Sequence, residues 1–125
     1  MSWRFISDSI IIAFPIIFLI KGFESLTLII FCGIISLFNE LIKHVVKSER
    51  PDKSDKLSFP SNHSSVSFFI ALYFNNIFLY IWSLAIGISR YKLKRHRKLD
   101  IIFGFFFAFV WFFFYQKSRS FLYLI

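Results

Sequence analysis

The polar and apolar positions of this chain fall into long blocks. Residues 9–20, 25–39, 57–89 and 101–116 contain no Asp, Glu, Lys or Arg. A first apolar helix is expected over about residues 6–20, kinked where Pro15 removes a backbone donor. Its weak basic start at Arg4, the interruption at Asp8 and the lack of a small-residue cleavage site make it a retained helix and not a signal peptide. Lys21-Gly22-Phe23-Glu24 reads as a short polar turn, and a second helix as running from about residue 25 to residue 42. Residues 47–58 are charged and contain Pro51, which predicts a solvent-facing loop. Pro60, Ser61 and Asn62 then read as a helix start, with Ser61 or Asn62 able to cap the free N–H groups of the first turn.

Residues 64–89 have the length of a single spanning helix, which needs about 20 apolar residues. Asn75-Asn76 lies in their middle, however, and adjacent Asn residues suit a turn better than a lipid-facing helix. The expectation is a hairpin of two helices of about twelve residues, each roughly 18 Å long at about 1.5 Å per residue. A last, Phe-rich helix is expected from about residue 99 to residue 115, with Lys117 and Arg119 as interfacial anchors and an apolar tail at 121–125 too short to span. The predicted class is all-α: an integral, multi-pass membrane bundle of about five apolar helices in one domain.

Composition supports lipid as the solvent. At 125 residues, with 57% apolar and 22% aromatic side chains, including 20 Phe, the chain has too little interior to hide its own apolar surface from water. Mean hydropathy is +0.65. The lone Cys32 has no partner for an intramolecular disulfide and reads as a small lipid- or core-facing side chain. The net charge of +8 is unevenly placed. Lys43, Lys47, Arg50, Lys53 and Lys56 lie in one polar stretch, and Arg90, Lys92, Lys94, Arg95, Arg97 and Lys98 in another. Such clusters beside membrane segments ordinarily face anionic headgroups or the cytoplasm. Nucleic acid is not an expected partner of a basic run pinned at the membrane.

Within those stretches lie three ordered blocks: Lys43-(six residues)-Arg50-Pro51, Pro60-Ser61-Asn62-His63, and Ser89-Arg90-(five)-His96-(three)-Asp100. Each stands at the edge of an apolar segment. In these residues the chain resembles the type 2 phosphatidic acid phosphatases, relatives of the vanadium-dependent haloperoxidases. Their signature has the same order and spacing, with Gly where this chain has Asn62. The resemblance covers residues 43–100 by motif and the rest by hydropathy. The spacers between blocks are shorter than the family's, and the five apolar segments compare with its usual six.

The resemblance implies a metal-independent lipid phosphatase with no cofactor. His96 would be the nucleophile, forming a phosphohistidine, and His63 would protonate the leaving group and then activate water. Lys43, Arg50 and Arg90 would hold the phosphate oxygens, together with Ser61 and the backbone N–H groups around Asn62 at a helix start. Asp100 follows His96 by four residues; on a helix the two share a face, so Asp100 is expected to accept a hydrogen bond from one imidazole nitrogen and aim the other at phosphorus. Asn62 is expected to tolerate a left-handed backbone in place of Gly. The three blocks must meet at one phosphate, which requires the chain to double back near Asn75-Asn76. No carboxylate cluster or Cys/His spacing suits a divalent metal ion. The expected partners are the bilayer and a phosphorylated lipid within it. The excess of Lys and Arg votes for a cytoplasmic site, while analogy to the family favours the opposite face. The alternative readings are a catalytically inactive, shortened relative and a non-enzymatic membrane protein that binds anionic lipid through its basic loops.

Overall fold

The computed structural model describes residues 3–53 and 56–124, in which the chain forms five α-helices. These are α1 (Trp3–Lys21), α2 (Leu26–Val46), α3 (Asn62–Phe74), α4 (Ile77–Lys92) and α5 (Lys98–Leu124), with a 3₁₀ turn at Gly22–Ser25 between the first two. The chain is an all-α bundle. Three of its helices, at Trp3–Lys21, Leu26–Val46 and Lys98–Arg119, are long and apolar enough to cross a membrane. Pro15 lies inside α1.

The polarity of the bundle is the reverse of a soluble domain's. Ile11, Leu19, Leu37, Phe78 and Phe109 are each at least 60% exposed, whereas Ser7, Ser58, Ser61, Ser64, Ser65, Ser67, Ser83 and Ser89 are buried. In lipid this costs nothing on the outside, provided that the inner hydroxyls find partners. They do. Ser65 Oγ donates to the Gly104 carbonyl at 2.7 Å, the Ser67 and Ser83 hydroxyls are 3.0 Å apart, and Ser89 Oγ donates to the Ile86 carbonyl at 2.6 Å. Trp82 Nε1 donates to Ser9 Oγ at 2.9 Å, tying α4 to α1.

Helix α3 is the centre of the bundle and packs against α1, α2, α4 and α5. Its sequence carries no amphipathic stripe because it has a neighbour on nearly every side. Phe69 and Ile70 are fully buried, and Phe31, Phe69 and Tyr115 form an aromatic knot joining α2, α3 and α5. Near the start of α3, α5 comes in at Gly104. A Cβ there would stand 2.6 Å from the Ser61 carbonyl oxygen, so only glycine permits this approach.

The hairpin forms where the two asparagines predict it. Asn75 closes α3 in the left-handed conformation (φ 49°), a cheap conformation for Asn, and its N–H reaches the Ala71 carbonyl. Asn76 caps α4, its side chain accepting from Phe78 N at 2.8 Å. Tyr80 Oη donates to Asn75 Oδ1 at 3.1 Å.

Element lengths differ from expectation at three places. Helix α2 continues past residue 42 to Val46 and ends where Lys47 turns left-handed (φ 51°). Helix α4 has sixteen residues and not about twelve. Helix α5 runs on past Lys117 and Arg119 through the expected tail, since neither Gly nor Pro follows Gly104 to stop it.

Candidate active site

The hairpin returns the chain, so the end of α2, the start of α3, the end of α4 and the start of α5 lie at one end of the bundle. Two loops close over them. Residues 47–53 and 56–61 lie beside residues 93–97, tied through Asp52 N–H to the Lys94 carbonyl (2.9 Å) and an Arg95–Asp52 salt bridge of 3.2 Å. The Ser58 N–H donates to the Ser48 carbonyl at 3.0 Å and closes the longer loop on itself.

Lys43, Arg50 and Arg90 are buried here, at 6%, 8% and 9% exposure. All three act electrostatically on both His63 and His96, so the three sequence blocks converge on one place. Lys43 pairs with Glu40 at 3.7 Å. Buried cations in such numbers need compensating negative charge.

His96 lies in the loop before α5, and its imidazole is 1% exposed. Its Nδ1 is 2.7 Å from the Ser58 carbonyl oxygen. A carbonyl only accepts, so Nδ1 carries the proton and Nε2 keeps its lone pair. Arg90 Nη2 donates towards that lone pair at 3.3 Å. Burial, with the neighbouring Arg90 charge second, pushes the His96 pKa down to about 3. His63, on the first turn of the short helix α3, is likewise pushed down to about 3 by burial and then by Arg90, Lys43, Arg50 and Arg95. Both imidazoles are neutral near pH 7.

The expected direct bond between Asp100 and His96 is absent. His96 precedes α5 instead of sitting on it, so the two side chains do not share a helical face. Ser58 stands between them: its carbonyl takes His96, and its hydroxyl donates to Asp100 Oδ2. Asp100 also accepts from Arg97 N at 2.8 Å and Arg97 Nη2 at 3.0 Å. The bond to Arg97 N is half of a capping box, which anchors the start of α5. Asp100 therefore holds helix and loop together, and reaches His96 only through Ser58.

Ser61 is the N-cap of α3, accepting from Ser64 N at 3.3 Å and donating to Ser64 Oγ at 2.9 Å. Its hydroxyl is thus engaged within the cap. The Asn62 and His63 N–H groups remain as orphan donors of the first turn. Asn62 is not left-handed, contrary to expectation; it is the first residue of α3, with ordinary negative φ. Its side chain turns to α2, accepting from Asn39 Nδ2 (2.9 Å) and donating to Ser36 Oγ (3.2 Å). Asn in place of Gly therefore adds a tie between helices.

A family model for the PAP2 superfamily matches residues 48–122. The chain belongs to the PAP2 superfamily. Membership carries phosphatase chemistry on phosphate esters, and the matched stretch begins after α2 and includes both closing loops and His63, Arg90, His96 and Asp100. Helices α1 and α2 lie outside it, so this PAP2 chain takes Lys43 from a helix beyond the matched stretch. No solved structure matches the chain. Ser58, Arg97 and Arg95 join the site without having been singled out by sequence. Ser58 lies three residues before Ser61 and Arg97 three before Asp100, the latter a half capping box readable in principle.

Proposed function

We propose that this PAP2 protein hydrolyses a phosphate ester or diphosphate of a membrane lipid through a phosphohistidine on His96. The observation that carries the reading is the bond from His96 Nδ1 to the Ser58 carbonyl. It leaves Nε2 as an unprotonated nucleophile beside Arg90, within a ring of buried cations.

The substrate phosphate takes over the Arg90 donor from Nε2 and is held by Lys43, Arg50 and the first-turn N–H groups of α3. Nε2 attacks phosphorus while the leaving oxygen departs with its electron pair. The bound phosphate also reverses the electrostatics around His63, raising its pKa so that it gains a proton to give to the leaving oxygen. His63 then takes a proton from water attacking the phosphohistidine. The lipid-facing surface of α1, α2 and α5 supports a substrate that arrives within the bilayer.

The test uses protein purified in detergent, with phosphatidate or a lipid diphosphate as substrate and chelator present. Phosphate release is expected to persist in EDTA, to be blocked by vanadate, and to fall at least about a thousandfold in His96→Ala. A denaturing quench should trap an acid-labile, base-stable phosphoenzyme in the unmutated protein alone. Undiminished release by His96→Ala overturns the mechanism. No release from any lipid phosphate favours a protein that binds anionic lipid.

A further inference from the structure

The buried stripe of α2 runs Leu28, Cys32, Ile35, Asn39, Lys43, and it turns from apolar to polar as it nears the cationic end. Asn39 is fully buried. Its Nδ2 donates to Asn62 Oδ1 at 2.9 Å, and Asn62 Nδ2 donates in turn to Ser36 Oγ at 3.2 Å. Asn39 Oδ1 finds no hydrogen-bond partner among the described residues. A buried oxygen left in that state is a cost to the fold that leucine, of similar volume, does not incur. Half of this amide therefore works against stability.

The other half acts close to the site. Asn39 stands one turn before Lys43 on the same face of α2, and Asn62 directly precedes His63 in the first turn of α3. Lys43 and His63 are near enough for the charge of one to be felt by the other. The Asn39–Asn62 bond thus fastens the helix that brings Lys43 to the helix that brings His63 and the first-turn N–H groups. Lys43 gains most from such a tie. It lies in the last turn of α2, and its long side chain is costly to order. Glycine, usual in the family pattern at position 62, has no side chain to reach α2. We propose that Asn39 is a positioning residue: through Asn62 it sets Lys43 against the start of α3, and with it the spacing of the groups that hold phosphate. Asn39 itself touches no substrate. The inference rests on reading the cationic end as a phosphate site. The amide is kept for the anion affinity it confers through Lys43, in spite of its cost to packing.

Inorganic phosphate is the probe. Its affinity for the full chain in detergent is read by calorimetry, with the thermal unfolding of each variant beside it. Asn39→Leu is expected to bind phosphate on the order of tenfold more weakly, while its unfolding midpoint stays level or rises. Asn62 is half-buried and can turn to solvent when its partner is gone. A residue that served packing alone would move both quantities together, so a midpoint that falls in step with affinity overturns the proposal. Asn62→Gly removes the other end of the bond and should weaken phosphate by about the same factor. In a Lys43→Gln background neither substitution should weaken phosphate further, because the group being positioned is absent. Losses that add to that of Lys43→Gln overturn the proposal, as does an affinity untouched by Asn39→Leu and Asn62→Gly. An affinity that depends on Asn39 only while Lys43 is present, in a protein that hydrolyses no lipid phosphate, keeps the positioning role and removes the phosphohistidine reading. Hydrolysis through His96 with phosphate affinity indifferent to Asn39 removes the positioning role alone.

Discussion

Ser58 gives two different atoms to two different partners, and they differ in what mutation does to them. The carbonyl that orients His96 survives any substitution, whereas the hydroxyl that ties the loop to Asp100 does not. Ser58→Ala is therefore expected to keep the tautomer and loosen the placement of the imidazole. A roughly ten- to hundredfold fall in kcat with KM nearly unchanged should follow, because small misplacement of a nucleophile is costly while ground-state binding is held elsewhere. Ser58→Thr should recover most of the loss. A rise in KM at constant kcat would mean that Ser58 serves binding instead. The side chains of the proposed site were legible in the sequence because their chemistry is carried by side chains at fixed spacing. Ser58 was not, since half of its part is played by a backbone oxygen, which every residue possesses. Asp100 was misread for a related reason: spacing of four implies a shared face only if both residues lie on the helix, and α5 starts between them.

Elements were readable where local chemistry decides them. Asn75-Asn76 set the turn, and Ser61 set the start of α3, through caps that need only neighbouring residues. Helix ends fixed by tertiary contact, and the orientation of Asn62 towards α2, depend on partners far along the chain. So does the approach of α5 to α3. Gly104→Ala drives a methyl group into the Ser61 backbone, and neither helix can yield alone because Ser65 also bonds the Gly104 carbonyl. The expected cost is about 1–3 kcal/mol, as for an overpacked core, with activity lost more than stability because Ser61 caps the helix that carries His63. Thermal unfolding in detergent, measured beside kcat, checks this. Activity intact with unfolding unchanged would show that the helices separate freely.

At the scale of the molecule, the bundle keeps two histidines neutral inside a cationic end. Their ordinary pKa of 6.5 falls to about 3 in the folded chain, so between those values the unfolded chain binds protons that the folded one does not. The stability owed to neutral histidine is complete above about pH 6.5 and drains away as pH falls towards 3. The midpoint of thermal unfolding should drop steeply from pH 7 to pH 4, and more gently in His96→Gln, which cannot charge. Parallel curves for the two proteins would remove His96 from the account. Bound sulfate, by placing negative charge among Lys43, Arg50 and Arg90, raises the folded-state histidine pKa and should make the drop shallower.

The hydrogen bond from His96 to a main-chain carbonyl also decides how the site meets a reactive small molecule. On the His96 ring an electrophile finds a single nitrogen with electrons to offer, whatever its shape. Covalent capture by a phosphonofluoridate or an alkylating lipid analogue should give one regioisomer, modified at Nε2, and peptide fragmentation against synthetic standards would tell it from the Nδ1 adduct. A free histidine in solution gives both. The fold thus exposes this residue to selective chemical labelling, and a mixture of adducts would mean that the ring turns within the pocket.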